Sequence, residues 1–151
     1  MDKFELTVEQ RNFLRSARVG QLATVDKNGF PAVVPFCFVF HNNAIYSVID
    51  EKPKRQDPQK LARIRNIERN SKVGIVIDEY SEDWKKLRFL QLKGNAVIVS
   101  KGADYEDALR QLAKKYSQYR KMKLSGRPLI RITASRLFAW SWQRRGAKST
   151  G

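Results

Sequence analysis

The sequence predicts a mainly β fold of antiparallel strands with flanking helices, and three observations carry that prediction. Short runs rich in Val, Ile, Phe and Tyr recur between Val19 and Trp142. Residues that tolerate positive φ, in Lys27-Asn28-Gly29 and His41-Asn42-Asn43, stand between consecutive runs, as in strands joined by tight hairpins. Only three stretches keep a helical period, and each lies before or between strand groups.

The first of these opens at Thr7, which can cap a helix with Gln10 reaching back. Phe13, Leu14 and Ala17 form its apolar side, and it is expected to end near Arg18. From Val19 to Asp26 the pattern becomes strand-like, and a return strand is expected beyond Pro31. Val33 to Phe40 is apolar on both faces, which predicts a central strand, with a bulge or local edge where Pro35 lacks a ladder donor. Ala44 to Ile49 is a third strand.

A helix is expected from about Pro58 to Asn70, opened by Asp57-Pro58, with Leu61, Ile64 and Ile67 toward the core. Arg63, Asn66 and Asn70 form a neighbouring stripe, while Arg65 and Arg69 are assigned to solvent. Lys72 to Asp78 is strand-like, and Glu79 to Trp84 is an acidic loop carrying two aromatics. A longer pair of strands is expected from about Lys86 to Ser100, with Gly94-Asn95 marking a bulge. Tyr105, Ala108, Leu109, Leu112, Ala113 and Tyr116 draw a third helical stripe, with acidic residues at its start and Lys114 and Lys115 at its end, as the helix dipole favours. The last two strands are placed around Leu129 to Thr133 and Arg136 to Trp142. The expected organisation is one domain over residues 1–142 and a basic, disordered tail over 143–151.

Composition narrows the function. A chain of 151 residues, 42% hydrophobic, can bury one ordinary core. Its formal net charge of +15 sets up a field that attracts nucleic acid, anionic lipid or polyanionic small molecules. A single cysteine, Cys37, excludes an internal disulfide, and with the single histidine, His41, it cannot build a metal site alone. A reducing cytoplasmic setting is expected. The first residues lack an apolar signal core, and no apolar run is long enough to span a bilayer.

The segment Glu51 to Val73 packs cations into a loop and the helix after it, between a strand ending at Asp50 and a helix start that offers free N–H groups. That is an anion cradle whose natural guest is phosphate, although each lysine taken singly reads as solvated surface. Gly146-Ala-Lys-Ser149 lacks the spacing of a P-loop. CxxC, HExxH and G-x-S-x-G are all absent; His41 reads as a turn residue, and Cys37 as inert packing within an apolar strand. Chemistry on so sparse an inventory calls for a bound organic cofactor, and a flavin fits a basic cradle beside an apolar slot. A nucleic-acid-binding barrel would also explain the charge and aromatics, but the cations are dispersed and no RNP-like strand is present. A module that binds flavin or haem without turnover is a further alternative.

The run from Leu22 to Phe36 resembles the opening hairpin of the pyridoxamine 5'-phosphate oxidase-like split β-barrel proteins. Ile45 to Lys54 and Leu61 to Val73 are similar to that family's next strand, basic loop, helix and following strand, and the resemblance extends from about Phe4 to Trp142. It implies a six-to-seven-stranded antiparallel split β-barrel, a homodimer with cofactor at the subunit interface, and a flavin- or deazaflavin-dependent oxidoreductase acting on a small organic substrate. Asp78 to Trp84 and Ala139-Trp-Ser-Trp142 look most like the subgroup that uses coenzyme F420 instead of FMN. Carried over by position, the phosphate contacts fall on Lys52, Lys54, Arg55 and Arg63, with Asn66 supporting, while Val33, Val34 and Pro35 border the ring. Trp140 and Trp142 would cover a site shared with the partner chain, and Tyr80 and Trp84 are candidates for lining the substrate space. The chain lacks a counterpart to the C-terminal segment with which pyridoxamine phosphate oxidases hold substrate, so that reaction is not expected. The acidic tail of coenzyme F420 suits the excess positive charge better than FMN does.

Overall fold

The computed structural model describes residues 5–50 and 61–142. The loop carrying Lys52, Lys54 and Arg55, the expected helix opening at Asp57-Pro58 and the tail 143–151 lie outside the described residues. Helix α1 (Val8–Ser16) starts as the sequence requires: Gln10 N donates to Thr7 Oγ1 at 3.1 Å, and Thr7 N donates to Gln10 Oε1 at 2.9 Å. Strands β1 (Gly20–Val25), β2 (Pro31–Phe36), β3 (Val39–His41) and β4 (Ala44–Val48) follow. Then come α2 (Ala62–Arg69), β5 (Lys72–Glu79), β6 (Arg88–Val99), α3 (Ala103–Lys115), the short α4 (Ser117–Arg120) and β7 (Leu129–Ser141). Helix α2 begins later than the expected Pro58, with Leu61 as its extended N-cap.

The described strands form one seven-stranded antiparallel sheet in the order β2-β1-β5-β6-β7-β4-β3. The expectation of a single central strand over Val33–Phe40 is corrected: the run breaks after Phe36, and its halves become the two opposite edges of the sheet. Pro35 pairs opposite Gln21 on one of those edges, where a missing donor costs no ladder bond on its free side. Phe36 and Phe40 nonetheless share one core, so the sheet curls until its edges approach, giving the split barrel. Asn42 and Asn43 both have positive φ, 49° and 61°, and make the two-residue turn between β3 and β4.

Two further expectations change. The pair of strands over 86–100 is the single strand β6, and the last two strands are the single strand β7. The irregularity lies opposite Gly94 and belongs to β7, where Ser135 is the extra residue between Ala134 and Arg136. A Cβ on Gly94 would lie 2.2 Å from the Thr133 carbonyl oxygen, so the close approach at the bulge excludes a side chain. Before the bulge Ile130 and Ile132 face the barrel core; after it Leu137 does.

The barrel core is closed by Phe13 and Leu14 of α1 and by Ile64 and Ile67 of α2. Arg88 clamps α1 to the sheet, donating to Glu79 at 2.7 Å with its guanidinium 3.9 Å from the Phe13 ring centre. On the other face α3 and α4 cover β3, β4 and the start of β7, burying Tyr105, Ala108, Leu109, Leu112, Tyr116 and Tyr119 against Val39, Tyr46, Val48 and Leu129. The rest of that face is left with Val33 (61% exposed), Phe138 (38% exposed), Phe89 and Trp140; Phe89 stacks on Trp140 at 6.1 Å. Among the described residues no helix is long and apolar enough to cross a membrane.

The break between β2 and β3 is held from α3. Phe38 N donates to Tyr116 Oη at 3.0 Å, and that hydroxyl lies 2.9 Å from the Arg18 carbonyl and 3.0 Å from the Phe38 carbonyl. Lys115 Nζ also donates to the Phe38 carbonyl at 2.9 Å. Tyr116→Phe strands the buried Phe38 N–H and is expected to cost about 1–3 kcal/mol of stability, read by urea unfolding.

Stability should also depend on pH in a defined way. Burial, and then the nearby Arg18 charge, hold the Lys115 ammonium down to about 8 from an ordinary 10.5. Between those values the unfolded chain keeps a proton that the folded chain has lost, so stability rises with pH. Burial, joined in Tyr46 by the Asp104 hydrogen bond, pushes Tyr46 and Tyr116 up to about 12 from 10.0, and raises Tyr105 and Tyr119 too. Above pH 10 the unfolded tyrosines ionise first and stability falls. Thermal melts should therefore climb from pH 8 toward 9, where ionisation of the unfolded Cys37 thiol begins to oppose the Lys115 contribution, and decline beyond 10. In Lys115→Met the climb should flatten while the decline remains; an unaltered climb would contradict this origin.

Candidate functional site

A pocket of about 250 Å³ opens where the β2–β3 break, the end of β4, α2 and α4 converge. The end of β2 brings Pro35, Phe36 and Cys37; β4 and the residues after it bring Ser47, Val48 and Asp50; α2 brings Arg63 and α4 brings Tyr119. Each wall follows from local structure. Ile49 N donates to the Pro128 carbonyl at 3.0 Å, which carries the chain past β4 so that Asp50 faces the pocket. Arg63 precedes buried Ile64 on α2, so packing of Ile64 sets the guanidinium stem at the rim. Tyr119 Oη donates to Asp50 Oδ2 at 2.6 Å, and its ring meets Tyr116 edge-on at 5.4 Å, joining the pocket wall to the hydroxyl that holds the strand break.

The electrostatics are mixed. Burial, then the Asp50 charge, pushes the Cys37 thiol up, so the group stays protonated and is a poor nucleophile at neutral pH. Burial and the hydrogen bond to Asp50 likewise raise Tyr119 and keep it a neutral donor. The pocket thus offers one guanidinium, one carboxylate oriented by a phenol, a neutral thiol and a serine, against apolar walls from Val19, Phe36 and Val48. It suits an organic anion with an apolar body.

Of the residues proposed from sequence, Pro35 and Arg63 meet here. Val34 instead packs against the barrel core, and Val33 points to the outer sheet face. Asn66 is separated from Arg63: it is buried, its Nδ2 donates to Thr24 Oγ1 at 3.0 Å, and its Oδ1 accepts from Arg69. Its evident work is to fasten α2 to β1, beside a shallow depression shared with Lys27, Arg65 and Arg69. Trp140 lies on the outer face with Phe89. Tyr80 and Trp84 are 65% and 57% exposed and border no part of the pocket, and Tyr80 Oη bonds Glu82. Lys52, Lys54 and Arg55 lie outside the described residues.

Cys37, Ser47, Asp50 and Tyr119 were not anticipated. Cys37 had been placed inside a strand, whereas it lies between β2 and β3, half-buried, on the pocket wall. Pro35, where the sequence implies a bulge or local edge, is the signal for it. Asp50, an acid ending an apolar strand before a cationic loop, was legible as a boundary but not as a wall. Tyr119 carried no local signal, because its partner Asp50 is 69 residues away.

Comparison with known proteins agrees with this architecture. The family model described as pyridoxamine 5'-phosphate oxidase matches residues 6–141. Among solved structures, a conserved hypothetical protein from Mycobacterium tuberculosis superposes with a TM-score of 0.77 at 19% identity, covering 98% of this chain and 92% of that one. HutZ, the haem storage protein of Vibrio cholerae, gives 0.68 at 21% identity, covering 89% and 94%. An FAD-binding protein of Mesorhizobium loti gives 0.64 at 20% identity, covering 88% and 92%. No curated protein matches. These identities speak for the fold alone, but the family match runs from the residue before the Thr7 cap to the last residue of β7: the chain belongs to the pyridoxamine 5'-phosphate oxidase family.

Proposed function

We propose that this protein is an oxidoreductase that binds coenzyme F420, with FMN as the alternative cofactor, at the pocket rimmed by Arg63. The observation that carries the reading is the position of the Arg63 guanidinium, across a partly apolar pocket from Pro35, where the chain reaches Asp50 and its sequence continues into Lys52, Lys54 and Arg55. A phosphate there accepts charge-assisted hydrogen bonds from Arg63 and gains from the local excess of positive charge. The bound cofactor supplies two-electron hydride transfer. This chain's residues bind and orient: Arg63 takes the anionic end, Pro35, Phe36 and Val48 exclude water from the apolar part, and Tyr119 holds the Asp50 carboxylate in one direction.

A volume of about 250 Å³ encloses one end of such a ligand and not the whole, since pockets for drug-sized molecules run from roughly 300 to 1,000 Å³. The remainder is best covered by a second copy docked on the exposed outer face of Val33, Phe138 and Trp140, which is continuous with the pocket through Pro35. In that homodimer Tyr80 and Trp84 reach substrate only across the interface. The formal charge of +15 favours the more anionic deazaflavin.

Haem is a weaker fit to this pocket. The sole histidine, His41, does not line it, and Cys37 and Tyr119, donors of the right type for haem iron, are both held protonated.

Titration of the purified protein with coenzyme F420 and with FMN, followed by absorbance and fluorescence, is expected to give tighter binding of the first. Arg63→Ala should weaken that binding by about 1.5–3 kcal/mol, the value of a charge-assisted contact. An unchanged affinity would remove Arg63 from the site. Oxidation of the pre-reduced cofactor by added substrates, measured against protein-free controls, separates an enzyme from a carrier. Sedimentation velocity should show a dimer that Phe138→Asp converts to monomer without loss of far-ultraviolet dichroism; a monomeric parent protein would rule out the shared site.

A further inference from the structure

A second cationic groove lies away from that pocket and shares no lining residue with it. It runs between α1 and the last turn of α3, floored by β3, with a volume of about 300 Å³ and walls from Arg15, Phe40, His41, Gln111, Lys114 and Lys115. Arg11 and Arg15 are four apart on α1, and both guanidiniums lean over the Phe40 ring, 5.8 and 6.0 Å from its centre. Two like charges gathered over one ring repel, and the lysines across the groove add to that repulsion.

Among the described residues no carboxylate forms an ion pair with Arg15, Lys114 or Lys115. Asp107, at the rim, is taken by Arg110 and lies 3.7 Å from His41 Nε2. That imidazole nitrogen is shut off from solvent and has no hydrogen-bond partner among the described residues. Lys115 gives one of its three donors to the Phe38 carbonyl, leaving two. The groove therefore concentrates a forked guanidinium, two ammonium groups and an amide around a space that admits a small ligand. Its donors outnumber what one carboxylate accepts; a phosphate, with three acceptor oxygens and up to two charges, or a diphosphate, matches them.

We propose that this groove is a binding site for a small phosphate-bearing anion, independent of the redox cofactor. The planar fork of Arg15 and the ammonium of Lys114 embrace the phosphate from α1 and α3, with Lys115 and Gln111 beside them on α3. Because the two helices are held on opposite sides of the same edge strand, occupancy draws them together over β3.

The test is a titration of the isotopically labelled full-length protein with inorganic pyrophosphate at about 0.15 M salt, where surface attraction is largely screened. Saturable amide shifts centred on Arg15, His41, Gln111 and Lys114 are expected. The double variant Arg15→Ala/Lys114→Ala should raise the dissociation constant about tenfold or more, while its circular dichroism and its cofactor titration stay those of the parent. His41→Gln, which leaves the charges in place, should bind as the parent does. Shifts scattered over remote basic residues such as Lys72 and Arg136, or an affinity untouched by the double variant, would overturn the site. Tighter capture of a single-stranded oligonucleotide through the same residues would overturn its assignment to small anions.

Discussion

The hydroxyl of Tyr116 is the constraint on which the rest of this molecule turns. A run of eight largely apolar residues would pair as one continuous strand if its backbone groups were free to do so. It is divided because the amide and carbonyl of Phe38 are engaged by a side chain from α3, with Lys115 sharing the carbonyl. Once divided, the run feeds two opposite edges of the sheet, and the curl that brings Phe36 and Phe40 into a common core is the same event seen from inside. The gap left at Cys37 becomes a pocket wall. Strand break, barrel closure and pocket are thus one construction, fastened by donors and acceptors that burial leaves no water to replace.

The local elements were legible because their signals are local. Thr7 and Gln10 specify a helix start within four residues, Asn42-Asn43 specify a turn, and the stripe from Tyr105 to Leu112 specifies a buried helix face. The errors share a different cause. Apolarity on both faces of Val33–Phe40 read as central, yet only the β3 half gains a second apolar surface, from the side chains of α3 and α4, while β2 leaves Val33 exposed on the outer face. Likewise β7 read as two strands because alternation changes phase at Ser135, and phase is all that periodicity can see. Helical spacing and the family resemblance both put Asn66 with Arg63, but its position on α2 turns it to Thr24 and out of the pocket.

Charge, too, divides more finely in space than along the chain. Lys114 and Lys115 read from sequence as complements to the dipole of α3, which explains each of them singly. Folding gathers Arg11, Arg15, Lys114 and Lys115 onto one edge of the sheet, while Arg63 stands at another opening, beyond the strand break. A summed charge of +15 therefore conceals a cationic groove at one opening and a mixed guanidinium–carboxylate pocket at another, with different neighbours and different shapes.

The extra residue at Ser135 has a consequence for how this fold can vary. In β7 the even-numbered Ile130, Ile132 and Ala134 look inward, and beyond Ser135 the odd-numbered Leu137 and Ala139 do. Flattening the bulge with Ser135 retained would exchange the two sides for the remainder of the strand, driving Arg136, Phe138 and Trp140 toward the barrel interior and Leu137 into water, whereas deleting Ser135 would set Arg136 beside Ala134 with Leu137 still inward. A single-residue change of length in β7 is therefore tolerable where a bulge forms or vanishes with it, so this strand can vary by one residue at Ser135 without turning its core side outward.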